Sequence, residues 1–166
     1  MPNFEFPENC KIVEGLAPVV GAAGAVAGDY ISLKFAQRAW VVIHYTCADG
    51  IAITWRIDKD STVAAGLTVP STQLHRIWSN LDTGTSDLLV ERTPAVLYAT
   101  DAVISNKLVI FEVDPTDLGD LLGVPYDCIR GASTTNIAAA QYVSMLYVIQ
   151  PRYQSAVANQ PSIIID

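Results

Sequence analysis

Side chains that could act as acids, bases or metal ligands are few in this sequence. Its two histidines, His44 and His75, each lie in a short segment of predicted strand. A structural zinc site needs about four ligands, and nothing in the spacing brings these two residues together. The sequence therefore predicts strand histidines with structural roles and no metal site.

Sequence motifs that would indicate a catalytic nucleophile are also absent. Cys10, Cys47 and Cys128 are far apart and show no CxxC spacing, and an odd, sparse set does not make a disulfide framework. Cys47 and Cys128 lie in apolar runs, where cysteine acts as a small buried hydrophobe. The chain has no GxSxG motif, no phosphate-binding loop and no dinucleotide-binding glycine motif.

Carboxylates recur at three-residue spacing in the segment DPTDLGD, at Asp114, Asp117 and Asp120. The pattern differs from an EF-hand loop, and Asp114 before Pro115 predicts the start of a turn. Asp58 and Asp60 end a predicted strand, where we expect them to be solvated. A loop calcium and a pair of glycosidase-type carboxylates stay open. The sequence favours a protein that is not an enzyme and that needs no cofactor.

Composition narrows the range of partners. Hydrophobic residues make up 51% of the 166 residues and charged residues 16%, with a net charge of −7. Scattered basic residues argue against direct nucleic-acid binding and against anionic membranes. An apolar chain with little charge favours contacts between subunits. The first residues lack the features of a signal peptide, and the apolar run 16–28 is too short to span a bilayer, so we expect cytoplasmic synthesis.

Alternating hydrophobicity dominates the middle of the chain. Residues 51–58 alternate and predict a strand with one solvent face, whereas residues 38–47 are apolar on both faces and predict a central strand covered on both sides. The Asp49-Gly50 link between them predicts a hairpin that pairs the two strands.

Further short strands are predicted, separated by turn-forming residues. Because many short strands at regular spacing are typical of sandwiches and barrels, we expect an all-β, antiparallel protein with irregular ends. For residues 10–20 we expect at most a turn or two of helix. The other predicted strands are 73–79, 87–92, 95–100, 107–113, 126–131 and 141–149, the last of them a central strand.

The predicted organisation is an irregular N-terminal arm at 1–28, a β-sandwich domain at 29–155 and a tail at 156–166. Both ends carry apolar side chains that either dock onto a neighbour or fold back on the domain. Among the tryptophans, Trp40 and Trp55 are predicted to pack in the core, whereas Trp78 precedes a polar loop and is a surface candidate.

Several segments between residues 29 and 155 resemble those of one group of proteins. They are YISLKFAQRAW at 30–40, IWSN with the polar loop at 77–87, KLVIFEVDP at 107–115, Tyr126-Asp127-Cys128 and Pro151-Arg152-Tyr153. In their order and spacing they resemble head decoration (cement) proteins of tailed phages, of the jelly-roll type. The resemblance implies a jelly-roll-like sandwich on the outer surface of the capsid in the virion, where it strengthens the shell.

The resemblance also implies partners: the major capsid protein, and the chain itself as a dimer or trimer. Two alternatives stay open, a tail or baseplate β-module and a carbohydrate-binding β-sandwich. The residues expected to contact the capsid or another subunit are Phe4, Phe6, Trp78, Ile163, Ile164 and Ile165.

Overall fold

A computed structural model describes residues 6–21, 24–64, 67–135, 137–138, 141–153 and 162–164. Within these residues, a four-residue helix and thirteen strands follow one another, with one 3-10 turn at Pro115–Asp117. In chain order they are α1 (Phe6–Asn9), β1 (Lys11–Val20), β2 (Ile31–Ser32), β3 (Ala36–Cys47), β4 (Thr54–Asp60), β5 (Val69–Pro70), β6 (His75–Asn80), β7 (Val90–Ala95), β8 (Leu97–Ala99), β9 (Ser105–Val113), β10 (Asp120–Leu121), β11 (Val124–Pro125), β12 (Cys128–Ser133) and β13 (Tyr142–Pro151).

The strands form two antiparallel sheets and a small hairpin. The larger sheet has the order β1-β13-β3-β9-β6-β7, and the smaller has the order β2-β12-β4-β5, with β8 also paired to β4. Strands β10 and β11 make the separate hairpin. Most neighbours in the sheets are distant in sequence, as in Greek-key arrangements. The predicted all-β, antiparallel, jelly-roll-like sandwich is confirmed.

The core lies between the sheets and is filled by alternate residues of each strand. On β3, Val41, Ile43 and Tyr45 point inward and are buried. From the smaller sheet, Trp55 enters the same core, with its ring centroid 5.3 Å from that of Tyr45. The core position predicted for Trp55 is confirmed, as is the burial predicted for Cys47 and Cys128.

The two sheets lie close together at Gly131 on β12. A Cβ atom there would lie 2.9 Å from Val41 Cγ1 and 3.1 Å from Met145 Sδ. The backbone nitrogen of Gly131 donates to the Tyr147 hydroxyl at 3.3 Å, and that hydroxyl donates to the Asp29 carbonyl at 2.9 Å. Glycine is therefore required for this spacing of the layers.

The predicted hairpin between residues 38–47 and 51–58 is wrong. Strand β3 pairs with β13 and β9, and β4 pairs with β12 in the other sheet. Gly50 does have a positive φ of 71°, so the turn chemistry was predicted correctly. The turn passes the chain from one sheet to the other, because a local turn signal does not specify which strands pair.

Strand β1 lies where the sequence predicts no strand. It is an edge strand paired to β13, with register shifts on either side of Leu16. Those irregularities accommodate Pro18, which is tolerated on edge strands, and Gly15, where a Cβ would lie 2.3 Å from the Tyr147 ring. Gly15 and Pro18 interrupt the alternation of hydrophobic and polar residues, so the sequence pattern does not predict this strand.

The only α-helix among the described residues is α1. None of these residues forms a helix with the length and hydrophobicity that crossing a membrane requires.

Candidate interaction surface

The outer face of the larger sheet, the side turned away from the core, is apolar. Directly opposed residues of antiparallel strands lie on the same face, and the registers align Leu146, Val42, Ile110 and Trp78 in one row across four strands. Apolar residues also lie in the adjoining rows. We call this set the outer strip: Leu146, Val42, Ile110 and Trp78, with Val148, Trp40 and Leu108 beside them.

Every residue of the outer strip is half-buried or exposed, and Leu146 is 44% exposed. The sequence predicts that β3 and β13 are covered on both sides, but among the described residues only their inner faces are buried. That prediction is therefore wrong for the single chain. The apolar residues that prompted it are present, and they face outward.

One end of the outer strip carries a compact ionic group. Glu112 accepts a hydrogen bond from Trp40 Nε1 at 3.3 Å and pairs with Arg38 at 3.1 Å and Arg76 at 3.9 Å. Arg76 also pairs with Glu91 at 3.0 Å, and its guanidinium lies 4.8 Å from the centre of the Trp78 ring. These contacts fix both indoles and pair the charges with one another.

Trp40 was predicted to pack in the core, and the structure places it on the outer face. The signal that could have located it is the alternation within 38–47. Trp40 and Val42 are in phase with each other and out of phase with the buried Val41 and Ile43. A segment that is apolar in both phases does not show which face has a partner in the same chain.

The outer face of the smaller sheet is charged, with buried carboxylates and half-buried arginines. Asp58 is 0% exposed and lies between Arg56 at 2.7 Å and Arg130 at 3.4 Å. The guanidinium of Arg130 stacks 4.7 Å above the Tyr30 ring. Asp58 was predicted to be solvated, and that prediction is wrong because arginines on its own and the neighbouring strand enclose it.

Asp60 is also buried, contrary to prediction. Its carboxylate accepts backbone N–H bonds from Ser61 at 2.7 Å and Leu67 at 2.9 Å. It therefore organises the loop after β4. Lys59 is buried on the inner side, where its ammonium lies 4.5 Å from the centre of the Tyr126 ring.

A cleft of about 540 Å³ opens beside Arg130, on the outer face of the smaller sheet. Its polar lining includes Glu14, Asp29, Tyr30 and Arg130, and the exposed Ile164 lies at its edge. The charge of Arg130 is already engaged by Asp58. Across the described residues, no group of three or more His, Cys, Asp or Glu side chains is placed to hold a metal ion.

The two histidines lie on opposite faces of the larger sheet. His44 is exposed on the outer face, whereas His75 is buried and its Nε2 lies 3.2 Å from Ser71 Oγ. Burial lowers the pKa of His75 to about 4. The sheet itself separates the two rings, so they do not form a shared site.

The acidic segment forms the turn that was predicted. Asp114 caps the 3-10 turn and accepts from the Thr116 backbone nitrogen at 3.0 Å. Asp117 accepts from Gln73 Nε2 at 3.2 Å. Asp120 accepts from the Gly123 backbone nitrogen at 3.2 Å, so structural contacts account for all three carboxylates.

The predicted contact residues are dispersed. Trp78 lies in the outer strip and Phe6 is exposed on α1, but Ile163 is 5% exposed and belongs to the core. Its carbonyl accepts from the Ser32 backbone nitrogen at 2.7 Å, so this part of the tail is folded back and Ile163 is unavailable to a partner. Phe4 and Ile165 lie outside the described residues.

Comparison with known proteins returns little. No protein-family model matches the chain, and no curated protein matches it. Among solved structures, the coat protein of Tobacco streak virus is similar over 93% of this chain and 95% of that one, with 10% identity and a TM-score of 0.32.

Proposed function

We propose that this chain is a structural virion protein that binds the outer surface of a tailed-phage capsid and stabilises the shell. The observation that carries the assembly part of this proposal is the outer strip, an apolar surface that the described part of the chain leaves open. Monomeric proteins rarely expose contiguous apolar patches larger than a few hundred Å². The resemblance of residues 29–155 to decoration proteins directs this assembly role to the capsid.

The physical basis of such a role is linkage. A protein that binds the assembled shell more tightly than its separated subunits stabilises the shell by mass action. Repetition over many lattice sites compensates for a modest affinity at each site. This role requires shape and apolar contacts rather than catalytic groups, and the partner is the major capsid protein.

Phe4 and Phe6 of the N-terminal arm are the residues that we propose for the shell contact, with Ile164 and Ile165 from the tail. Phe6 and Ile164 are exposed, Ile164 by 59%. The proposed location is the capsid surface of the virion, after synthesis in the host cytoplasm.

Co-sedimentation with capsids assembled from the major capsid protein tests the proposal. We expect saturable binding by the full chain and weaker binding after Phe4→Ser with Phe6→Ser. Asn3→Ala with Glu5→Ala changes the same arm without removing apolar area, so this control should bind like the parent chain. Absence of the full chain from the capsid pellet would refute the proposal, and binding to tail tubes instead would favour the tail or baseplate alternative.

A carbohydrate-binding role is the second candidate, and one observation favours it. Trp40 and Trp78 lie on the same outer face, and aromatic rings on an open face can stack against apolar faces of ligands. Because Trp55 is buried, a sugar would change the fluorescence of the outer tryptophans only. A saturable fluorescence change that is lost in Trp78→Phe, together with no capsid binding, would replace the first proposal by the second.

A further inference from the structure

We propose that the outer strip is the contact surface between two copies of this chain, which pack face to face through their larger sheets. The inference goes beyond the capsid-binding role and does not depend on it. It assigns the outer strip to a second copy and leaves the shell contact to the arm and tail.

The size of the face fits a stable dimer. With strands about 4.8 Å apart and a rise of about 3.4 Å per residue, the six strands of 6 to 12 residues cover about 850 Å². A standard protein interface buries about 800 Å² on each partner. The outer strip would form the apolar centre of this area, and the Arg–Glu group at one end would belong to its polar rim.

The charge distribution also favours a second copy. The chain carries a net charge of −7, so two copies repel each other over most of their surfaces. The ionic group at the end of the outer strip contains two arginines and two glutamates, Arg38, Arg76, Glu91 and Glu112, which pair with one another. The strip itself carries no charge. Two copies can therefore bring the four strands of the strip together without burying an unpaired charge. Glu14, which the register places beside Leu146 on the edge strand β1, is exposed and would lie at the polar rim.

The order of the strands makes the strip complementary to itself. A two-fold axis parallel to the strands, between β3 and β9, sets Val42 against Ile110 of the second copy and Leu146 against Trp78 of the second copy. Leu146 and Trp78 then meet at the ends of the row, and the β-branched Val42 and Ile110 meet at its centre. Such a contact is isologous, as in most dimers, and resembles the aligned packing of two sheets in a sandwich.

Sedimentation velocity of the purified full chain tests this inference. We expect twice the mass of the chain at micromolar concentrations. Val42→Asp and Ile110→Asp should each raise the dissociation constant at least about 30-fold, because each places two carboxylates at the apolar centre of the dimer. The matched control is Leu74→Asp, which changes a residue that is 66% exposed and lies outside the strip, and it should dimerise like the parent.

A second, milder variant shows whether a loss of dimerisation comes from the lost contact or from misfolding. Val42→Thr keeps the side-chain shape and replaces one methyl group by a hydroxyl, and we expect it to weaken the dimer while the near-ultraviolet circular dichroism stays that of the parent. A monomer throughout the micromolar range would overturn the inference, as would a dimer that tolerates Val42→Asp, Ile110→Asp and Val42→Thr alike. Because no capsid is present, failure here is distinguishable from failure to bind the shell.

Discussion

The outer faces of the two sheets are opposites. The outer face of the smaller sheet has charged residues that pair with one another, and Asp58 is enclosed there by Arg56 and Arg130. The larger sheet carries the outer strip and leaves it partly exposed. Stabilising contacts are thus completed within the chain on one side, whereas the other side retains the apolar surface that a partner would bury.

The largest loss of stability should come from removing Asp58 from its ion pairs with Arg56 and Arg130. Asp58→Ala removes a fully buried carboxylate and leaves two arginines, 28% and 23% exposed, without their partner. We expect a loss of about 3 kcal/mol in the free energy of unfolding, measured by urea denaturation. Glu112→Ala, on the opposite outer face, should cost about 1 kcal/mol or less since its arginine partners are more exposed. Equal losses for the two variants would contradict the comparison.

Acid should destabilise the core between the two outer faces, because His75 is buried there. Its pKa is lowered to about 4 from the ordinary 6.5, so between these values the unfolded chain binds a proton that the folded chain does not. The stability that neutral His75 provides is complete above pH 6.5 and is lost as pH falls toward 4, at roughly 1 kcal/mol per pH unit.

Urea denaturation at a series of pH values measures this slope. His75→Gln should flatten it, whereas His44→Gln, on the exposed outer face, should leave it unchanged. A slope that survives His75→Gln would show that another group titrates in this window.

A change at the contact between the sheets should lower the free energy of unfolding by a smaller amount. Gly131→Ala places a methyl group 2.9 Å from Val41 Cγ1, so the Val41 side chain or the sheets must shift, at a cost of about 1–2 kcal/mol. Gly24→Ala is the matched control, because a Cβ at Gly24 meets nothing within 4 Å. Thermal denaturation of the two variants should therefore differ by several degrees, and equal midpoints would argue against this close approach.

The smallest effect should come from the outer strip itself. In a monomeric background, Val42→Thr should change the unfolding free energy by less than about 0.5 kcal/mol, since the hydroxyl stays in contact with water. Ile43→Thr, one residue along and fully buried, should cost about 2 kcal/mol or more. Similar losses would mean that the outer strip already stabilises the single chain.

Much of the fold follows from the sequence, because alternation predicts the strands directly. Residues 107–113 and 141–149 were predicted as strands, and they form most of β9 and β13. The pairing could not be predicted, since Asp49-Gly50 encodes a turn but not the sheet that follows it. Strand β1 was missed because Gly15 and Pro18 interrupt its pattern.

The candidate surface was only partly predictable. Trp78 was identified from the polar loop that follows it, but Trp40 and Val42 were assigned to a covered strand. The apolar composition of β3 was recognised correctly, yet composition does not show whether the cover is the same chain or another. Burial of Asp58 depends on Arg130, which is 72 positions away, and sequence proximity could not show that contact.

Hydroxyl-radical footprinting of the full chain, below and above the concentration at which it dimerises, tests the central claim most directly. We expect Leu146, Trp40 and Trp78 to become protected at high concentration, while Leu74 and Leu122, exposed but outside the outer strip, react equally at both. Unchanged reactivity of the outer strip, or protection of Leu74 and Leu122 instead, would contradict its role as the assembly surface.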